Sequence, residues 1–515
     1  MCDGTNRCCE DRLNSILPFL PLCRRSSALF WPPVVVEFLK SLSKGPRYSE
    51  LRTGQLLALA ISELRNSLHF PNNYSLRLGF AIFFDNLLSK DDAEKWFGEV
   101  LPRLGNLLLR LPDLLEIHYQ NAGIFNGLET SLRLLESQHS GVVFLSQELV
   151  AALLVCALFG LFPTTNRGAK HLPAINFDNL FVSIYECYHV SLENKIKCII
   201  HYFERICLHM PTGNVSFERK VLPLENSPSG IVYPKTNFWS ESVVSLCQLE
   251  VHKTGLIEDQ YAEALEVDFA NKYIGGGALS RGCVQEEIRF MINPELIVSM
   301  LFMSSMADNE AIEIIGTERF SNYFDYLLRE TNKAFCGLFD QNKYQLYQKL
   351  SETIEVQGEK PAQNIKNLFH KSKNLQSASS QSGKQDLSSE PPNANEKKGL
   401  HPNLEGTIGI ATGNWGCGAF GGDPQVKVAI QWLAASQALR PFILYYTFGL
   451  EELNKLEMIV KWIISHEWTV GDLWNMLMDY SFQRFKGNTQ VGFFNWLLPS
   501  LYNNDDDNDP MMLDE

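Results

Sequence analysis

Residues 267–287 read VDFANKYIGGGALSRGCVQEE. A short apolar run ends at Asp268–Asn271, Gly275, Gly276 and Gly277 follow in succession, and Gln285, Glu286 and Glu287 open a helical pattern. Three adjacent glycines cost chain entropy unless the backbone must take unusual dihedrals or let a ligand approach closely. A strand, a glycine loop and a helix N-terminus together present backbone N–H groups to an anion such as a diphosphate. Successive helix residues point about 100° apart, so the carboxylates of Glu286 and Glu287 can take different roles on one ligand. Their proximity tends to raise one pKa, which suits a glycosidic general acid, while a helix N-terminus pulls the other way. Taken singly, a Glu-Glu pair in a first turn is ordinary dipole complementarity, and three glycines can be a plain turn. The combination after an Asp- and Asn-bearing strand is far more specific.

Outward from this stretch, β-type runs at Ala264–Ala270, Ala311–Gly316, Thr407–Thr412 and Phe442–Thr447 alternate with helical segments at Asn293–Phe302 and Pro424–Gln437. The alternation predicts an α/β layer fold. Asn293 and Pro294 read as N-cap and first helical residue. A second loop, Ala411–Asp423 (ATGNWGCGAFGGD), again follows a strand and precedes a helix. Gly416, Gly418 and Gly421 formally match GxGxxG, which leaves a dinucleotide-dependent oxidoreductase as a competing reading. The following strand ends Tyr445-Tyr446-Thr447-Phe448-Gly449 without the carboxylate that such a site wants. The loop reads better as a second phosphate-embracing turn, with Phe420 or Phe448 able to stack on a base. Ordinary core packing is the alternative for either ring.

Residues 1–245 read as mostly helical, with helical periods in Trp96–Leu115 and Gln138–Leu161 and loop-rich stretches at Pro163–Pro173 and Pro211–Ser229. No catalytic constellation is visible in this half. Residues 371–402 are rich in Ser, Gln, Asn and Lys and read as a disordered insert, and the acidic run from Asn503 reads as a solvated tail. The expected domains are therefore a helical part over 1–245 and an α/β part over 250–350 and 405–500.

The chain of 515 residues carries a net charge of −14, which gives no sign of a basic nucleic-acid stripe. Its 12 cysteines form no CxxC pair and no zinc spacing, a pattern that suits a reducing cytosolic or nuclear compartment. Cys283 beside the first loop has no histidine placed to activate it and reads as a bystander. The longest apolar run, Leu149–Phe162, is shorter than the roughly 20 residues of a membrane span and reads as a buried helix. P-loop, GxSxG and HExxH patterns are absent.

The segment GGGALSRGCVQEE resembles the GGG…QEE signature of poly(ADP-ribose) glycohydrolases, and ATGNWGCGAFGGD resembles that family's second loop. VDFANKY, IRFMINPELI, YYTFG and NRGAKHLPAINFDNLF are similar too, and the overall wording is closest to plant members. The resemblance implies a macrodomain-like three-layer α/β/α catalytic domain with an N-terminal all-helical accessory domain. It implies hydrolysis of the ribose–ribose bonds of poly(ADP-ribose) with no cofactor and no metal. By motif, Glu287 would be the acid/base and Glu286 would hold ribose hydroxyls, while Asp268 and Asn271 would orient that ribose. Gln285 belongs to the same signature. Gly275–Gly277, with Gly416, Gly418, Ala419, Phe420 and Gly421, would embrace the diphosphate. Asn414 and Phe448 would lie near the adenosine. The expected partner is poly(ADP-ribose) on modified proteins, bound by a monomer without direct DNA or membrane contact. One departure stands out. Ser321-Asn322-Tyr323 runs quickly into Leu327, where family members typically place several tens of residues including a tyrosine at the adenine and an internal strand. Tyr326 falls at about that tyrosine's spacing, and the shortening leaves a catalytically impaired polymer binder as the second reading.

Overall fold

The computed structural model describes residues 12–25, 28–71, 73–121, 124–125, 128–224, 234–257, 264–320, 408–415, 417 and 422–498. The strands used below are β1 (Gly141–Ser146), β2 (Asn214–Val221), β3 (Gln248–His252), β4 (Ala264–Glu266), β5 (Glu310–Ile315), β6 (Gly409–Gly413) and β7 (Phe442–Tyr446). The helices are α1 (Gln147–Leu158), α2 (Val190–Leu208), α3 (Gln285–Ile292) and α4 (Pro424–Gln437). The chain forms two compact units, one of residues 1–233 with 268–337 and one of residues 234–267 with 338–515.

The first unit is mainly helical. Ser146 caps α1 by accepting from the Leu149 amide, and the helix is buried on every side because its residues are almost all apolar. No described helix is long and apolar enough to cross a membrane. In α2, Leu192, Ile196, Ile199, Phe203 and Ile206 recur at helical spacing and form the buried stripe. An aromatic cluster fills part of this core, with Phe80 stacked on Phe181 at 4.0 Å between centroids.

The unit is not all helix. β1, β2 and β5 form an antiparallel sheet in the order β1-β2-β5. Helical periodicity over Gln138–Leu161 therefore begins too early, because GVVFLS is a strand, with Val142, Val143 and Leu145 buried, that pairs with β2. Likewise Pro211–Ser229 contains β2 rather than loop alone. The Ala311–Gly316 run is a strand, as expected, but it pairs antiparallel with β2. Pairing between residues so distant in sequence has no local signature. The segment after Asn293 is a 3₁₀-helix, Pro294–Leu301, and the Asn293 side chain makes no capping bond.

The second unit holds a four-stranded parallel sheet in the order β3-β7-β6-β4. Ile410 of β6 aligns with Ile443 of β7 and with Leu265 of β4, and Leu444 of β7 aligns with Glu250 of β3. β6 is buried throughout, as a central parallel strand covered on both faces should be. Asp423 caps α4 through the amides of Gln425 and Val426, and Pro424 starts it, as read from the sequence. The α/β alternation is thus realised, and all four strands run the same way. Their carboxyl ends lie at one edge of the sheet, where ligands of open α/β sheets bind.

Candidate active site

In the first unit the glycine loop and α3 build one compact constellation. Glu286 and Glu287 are both buried, at 3% and 6% exposure, which carboxylates tolerate only when fully hydrogen-bonded. Four loop amides supply the bonds. Glu286 accepts from Asn271 N and Gly275 N, each at 2.7 Å. Glu287 accepts from Gly277 N at 2.8 Å and from Val284 N at 2.8 Å. The second bond is the reach of an N3 glutamate back to the helix start. Gln285 accepts from Phe269 N at 2.9 Å and so ties the segment after β4 to the same helix. Asn271 accepts from the Tyr273 amide and turns the chain into the glycines.

The glycines are required by space and by backbone. Gly275 and Gly276 have φ of 84° and 48°, in the left-handed region. A Cβ on Gly276 would lie 2.6 Å from Glu287 Oε1 and 2.8 Å from Glu286 Oε2. One on Gly275 would strike the Met300 methyl. The loop can therefore fold over the two carboxylates only without side chains.

Burial pushes Asp268 up to about 7, with the charge of Glu287 adding to the rise. Burial also lifts Glu286 well above the usual carboxylate range, and Asp268 adds to it, against the lowering by the Asn271 and Gly275 amides. Asp268 and Glu286 thus share a low-dielectric site in which ionisation of both is opposed. This is the environment in which a carboxyl can hold and return a proton near neutral pH.

In the second unit Asn414 follows β6 and is buried. Its Nδ2 donates to Thr447 O at 2.7 Å and its Oδ1 accepts from Tyr445 OH at 3.3 Å. Phe448 follows β7 with φ of 52° and is partly exposed. Its ring lies 6.4 Å from that of Tyr446, which stacks on His252 at 4.9 Å. A row of aromatic rings therefore stands at the carboxyl ends of β3 and β7. Gly416, Gly418, Ala419, Phe420, Gly421 and Tyr326 lie outside the described residues.

Comparison with known proteins agrees with this architecture. A family model described as poly(ADP-ribose) glycohydrolase, macro domain fold, matches residues 236–327 and 324–455. The model for the same family's helical domain matches residues 88–219. Poly(ADP-ribose) glycohydrolase 1 of Arabidopsis thaliana is 49% identical over 549 aligned positions, covering 96% of this chain and 98% of the relative. The chain belongs to the poly(ADP-ribose) glycohydrolase family. Probable poly(ADP-ribose) glycohydrolase 2 of the same plant is 44% identical, covering 95% and 98%. Poly(ADP-ribose) glycohydrolase 1 of Caenorhabditis elegans is 31% identical over 55% of this chain and 35% of its own length. Together these make it a plant-type member with a macrodomain-fold part and a helical N-terminal domain.

Within this glycohydrolase-family chain, the structure brings Asp268, Asn271, Gly275–Gly277, Gln285, Glu286 and Glu287 together in the first unit. Asn414 and Phe448 are built on the sheet of the second. Sequence reading found no constellation in the helical half, yet Lys195 of α2 donates to three loop carbonyls, those of Gly277 at 3.2 Å, Ser280 at 2.7 Å and Gly282 at 2.7 Å. The signal was present, since Lys195 sits on the apolar stripe of α2 between Leu192 and Ile199 and is 4% exposed. Arg167 was also missed. It is buried and donates to the carbonyls of Pro173 and Met300, tying the 163–173 loop to the segment behind the glycines.

Proposed function

We propose that this chain hydrolyses the ribose–ribose O-glycosidic bonds of poly(ADP-ribose) and releases ADP-ribose, with Glu287 as general acid and base. The observation that carries the reading is the Glu287 carboxylate held between the Gly277 and Val284 amides, with Glu286 and Asp268 beside it. In the first half of the reaction Glu287 gives its proton to the bridging oxygen, which leaves with the departing sugar as the glycosidic bond breaks. The anomeric carbon gains oxocarbenium character. Glu287 then takes a proton from water while the water oxygen bonds to that carbon, which restores the acid. The sum is bond plus water to two hydroxyls, with no other reactant. Glu286 holds ribose hydroxyls, and Asp268 and Asn271 orient the same ribose. The glycine loop embraces the diphosphate by close backbone approach, since the amides of Gly275, Gly276 and Gly277 are taken by Glu286, the Tyr273 carbonyl and Glu287, and Asn414 and Phe448 serve the adenosine. The substrate is polymer on modified proteins, met by a monomer in nucleus and cytoplasm without DNA or membrane contact. The compartment reading is supported by the described cysteines, all of which are free.

Incubation with labelled poly(ADP-ribose) tests this directly. Release of ADP-ribose by the wild-type chain, lost in Glu287→Gln, is the expected result. Normal release by that variant would remove Glu287 from the acid/base role. A second reading, a polymer binder with impaired catalysis, is favoured by the two-piece family match meeting at residues 324–327. The alignment to the Arabidopsis relative also runs longer than this chain, so that relative has residues without counterpart here. Polymer retained without release would decide for it.

A further inference from the structure

We propose that Lys195 is a positioning residue of the active site, a cationic clamp that sets the curvature of the 277–282 loop and thereby the orientation of Glu287. The inference rests on the glycohydrolase reading of the Glu287 site.

The geometry is specific. An ammonium has three N–H donors and no acceptor, and Lys195 directs its bonds to three carbonyls of one loop, Gly277, Ser280 and Gly282. These are the residues that close the turn: Ser280 N and Gly282 N both donate to Gly277 O, the same oxygen that Lys195 reaches. Gly277 is bound from both sides. Its carbonyl faces Lys195 and its amide faces Glu287 Oε1. Gly282 is equally close, since a Cβ there would lie 2.8 Å from the Glu287 carboxyl carbon and 2.8 Å from Gly277 Cα. A shift of the loop away from α2 therefore moves a donor that fixes the acid/base.

The charge argument runs the same way. A buried lysine on an apolar stripe is costly unless something compensates. Burial lowers the ammonium pKa to about 8, and the compensation is three oriented carbonyl dipoles together with attraction to the nearby Glu287 carboxylate. A purely structural packing position on α2 would be filled by Leu or Ile, like its neighbours Leu192, Ile196 and Ile199. Its neighbour Lys197 shows the ordinary alternative, pairing at the surface with Glu193 at 2.6 Å. Lys195 ties the catalytic loop to the helical part of the chain through one side chain.

The test compares wild type, Lys195→Met and Lys195→Gln as full-length proteins. Three measurements are made: release from labelled poly(ADP-ribose), ADP-ribose affinity by calorimetry, and amide exchange of the 272–284 peptide. Lys195→Met removes every donor at similar length, whereas Lys195→Gln keeps two. Loss of alignment at a reacting group costs on the order of 100-fold in rate. The expected result is therefore a kcat about 100-fold lower for Met and intermediate for Gln. KM and ADP-ribose affinity should be little changed, and exchange should quicken in the loop but not in α1. If Lys195→Met does not fold, Lys195→Gln carries the comparison. Unchanged kcat with unchanged loop exchange in a folded variant overturns the clamp. So does a rate loss matched by exchange throughout the molecule. Should wild type release nothing, the glycohydrolase reading fails on its own, and the exchange data alone decide whether Lys195 orders the loop.

Discussion

Gly277 donates its amide to Oε1 of Glu287 at 2.8 Å, so the last of three consecutive glycines holds the carboxylate proposed as general acid and base. The neighbouring pairs repeat the arrangement, with Gly275 and Asn271 on Glu286 and Val284 on the other oxygen of Glu287. Loop and helix start are thus one hydrogen-bonded unit, in which neither the glycines nor the glutamates make sense without the other.

Replacing Gly276 by alanine tests that unity. The added Cβ would meet both carboxylates inside 3 Å, and φ of 48° is costly for any residue with a Cβ. Left-handed backbone costs about 1–2 kcal/mol, so melting should fall modestly. Displacement of the glutamates should lower kcat by about 100-fold. A folded Gly276→Ala protein with wild-type turnover would contradict the close fit described here.

Glu287→Gln makes a sharper case. The substitution swaps one acceptor oxygen for an amide donor facing a backbone N–H, so some stability is lost along with the proton. General acid–base catalysis contributes typically about 10²–10⁴-fold, and release of ADP-ribose should fall by at least the lower figure. Calorimetric affinity for ADP-ribose should stay within a few-fold of wild type. Equal loss of binding and turnover would mean that the glutamate serves ground-state binding instead.

How far the sequence disclosed this site follows from how local its parts are. Gly275–Gly277 and Gln285–Glu287 lie within one short stretch, and their combination of turn, helix start and paired carboxylates is legible by eye. The parallel strands β6 and β7 with α4 between them are equally local, and their bounds were nearly right. Lys195 was not found because its partners lie far along the chain, and a lone lysine on an apolar stripe points to no particular loop. The β2–β5 pairing was missed for the same reason. Register between distant strands is a tertiary fact, and β5 alone reads like any strand of the α/β alternation. GVVFLS was absorbed into the following helix because both are apolar and short runs do not separate the two periods.

Stability should depend on pH through Asp268. Its folded pKa is raised to about 7 by burial and by Glu287. A carboxyl whose folded pKa exceeds its unfolded value, near 3.9, binds its proton more tightly in the native state. Its stabilising contribution is complete below about 3.9 and is lost as pH rises through about 7. Asp268 Oδ1 is also a buried atom without a hydrogen-bond partner, so removing its charge breaks no described bond at that atom. Asp268→Asn should therefore melt higher than wild type at pH 8, by about 2–4 °C if about 1 kcal/mol is regained. The advantage should shrink toward pH 4. A difference in melting temperature that stays constant across this range would argue against the titration.

Arg219 and Glu310 pair at 2.7 Å with both side chains wholly buried, between β2 and β5. Glu310 also accepts from Ser137 Oγ and from the Ala307 amide. Breaking a buried pair by removing one partner costs about 3–5 kcal/mol, because the other charge is stranded. Glu310→Ala should lower melting strongly while the folded fraction keeps its kcat. Retained stability would show that water or another carboxylate reaches Arg219.

Phe448 stands at the carboxyl end of β7 with φ of 52°, unusual for a bulky residue and so held by its surroundings. Gly413 accommodates it, since a Cβ there would lie 2.9 Å from the Phe448 ring. A ring fixed in this way, partly exposed and next in line after His252 and Tyr446, offers a face to a flat ligand. Stacking of a base on an aromatic ring is worth about 1–3 kcal/mol by alanine substitution. Phe448→Ala should therefore weaken ADP-ribose binding and raise KM by about tenfold, with kcat changed much less, because the adenine is remote from the bond that breaks. Calorimetry with ADP-ribose and with ribose 5-phosphate separates the cases. The variant should lose affinity for the first and not for the second. Equal loss for both ligands would place Phe448 away from the base and return it to the core.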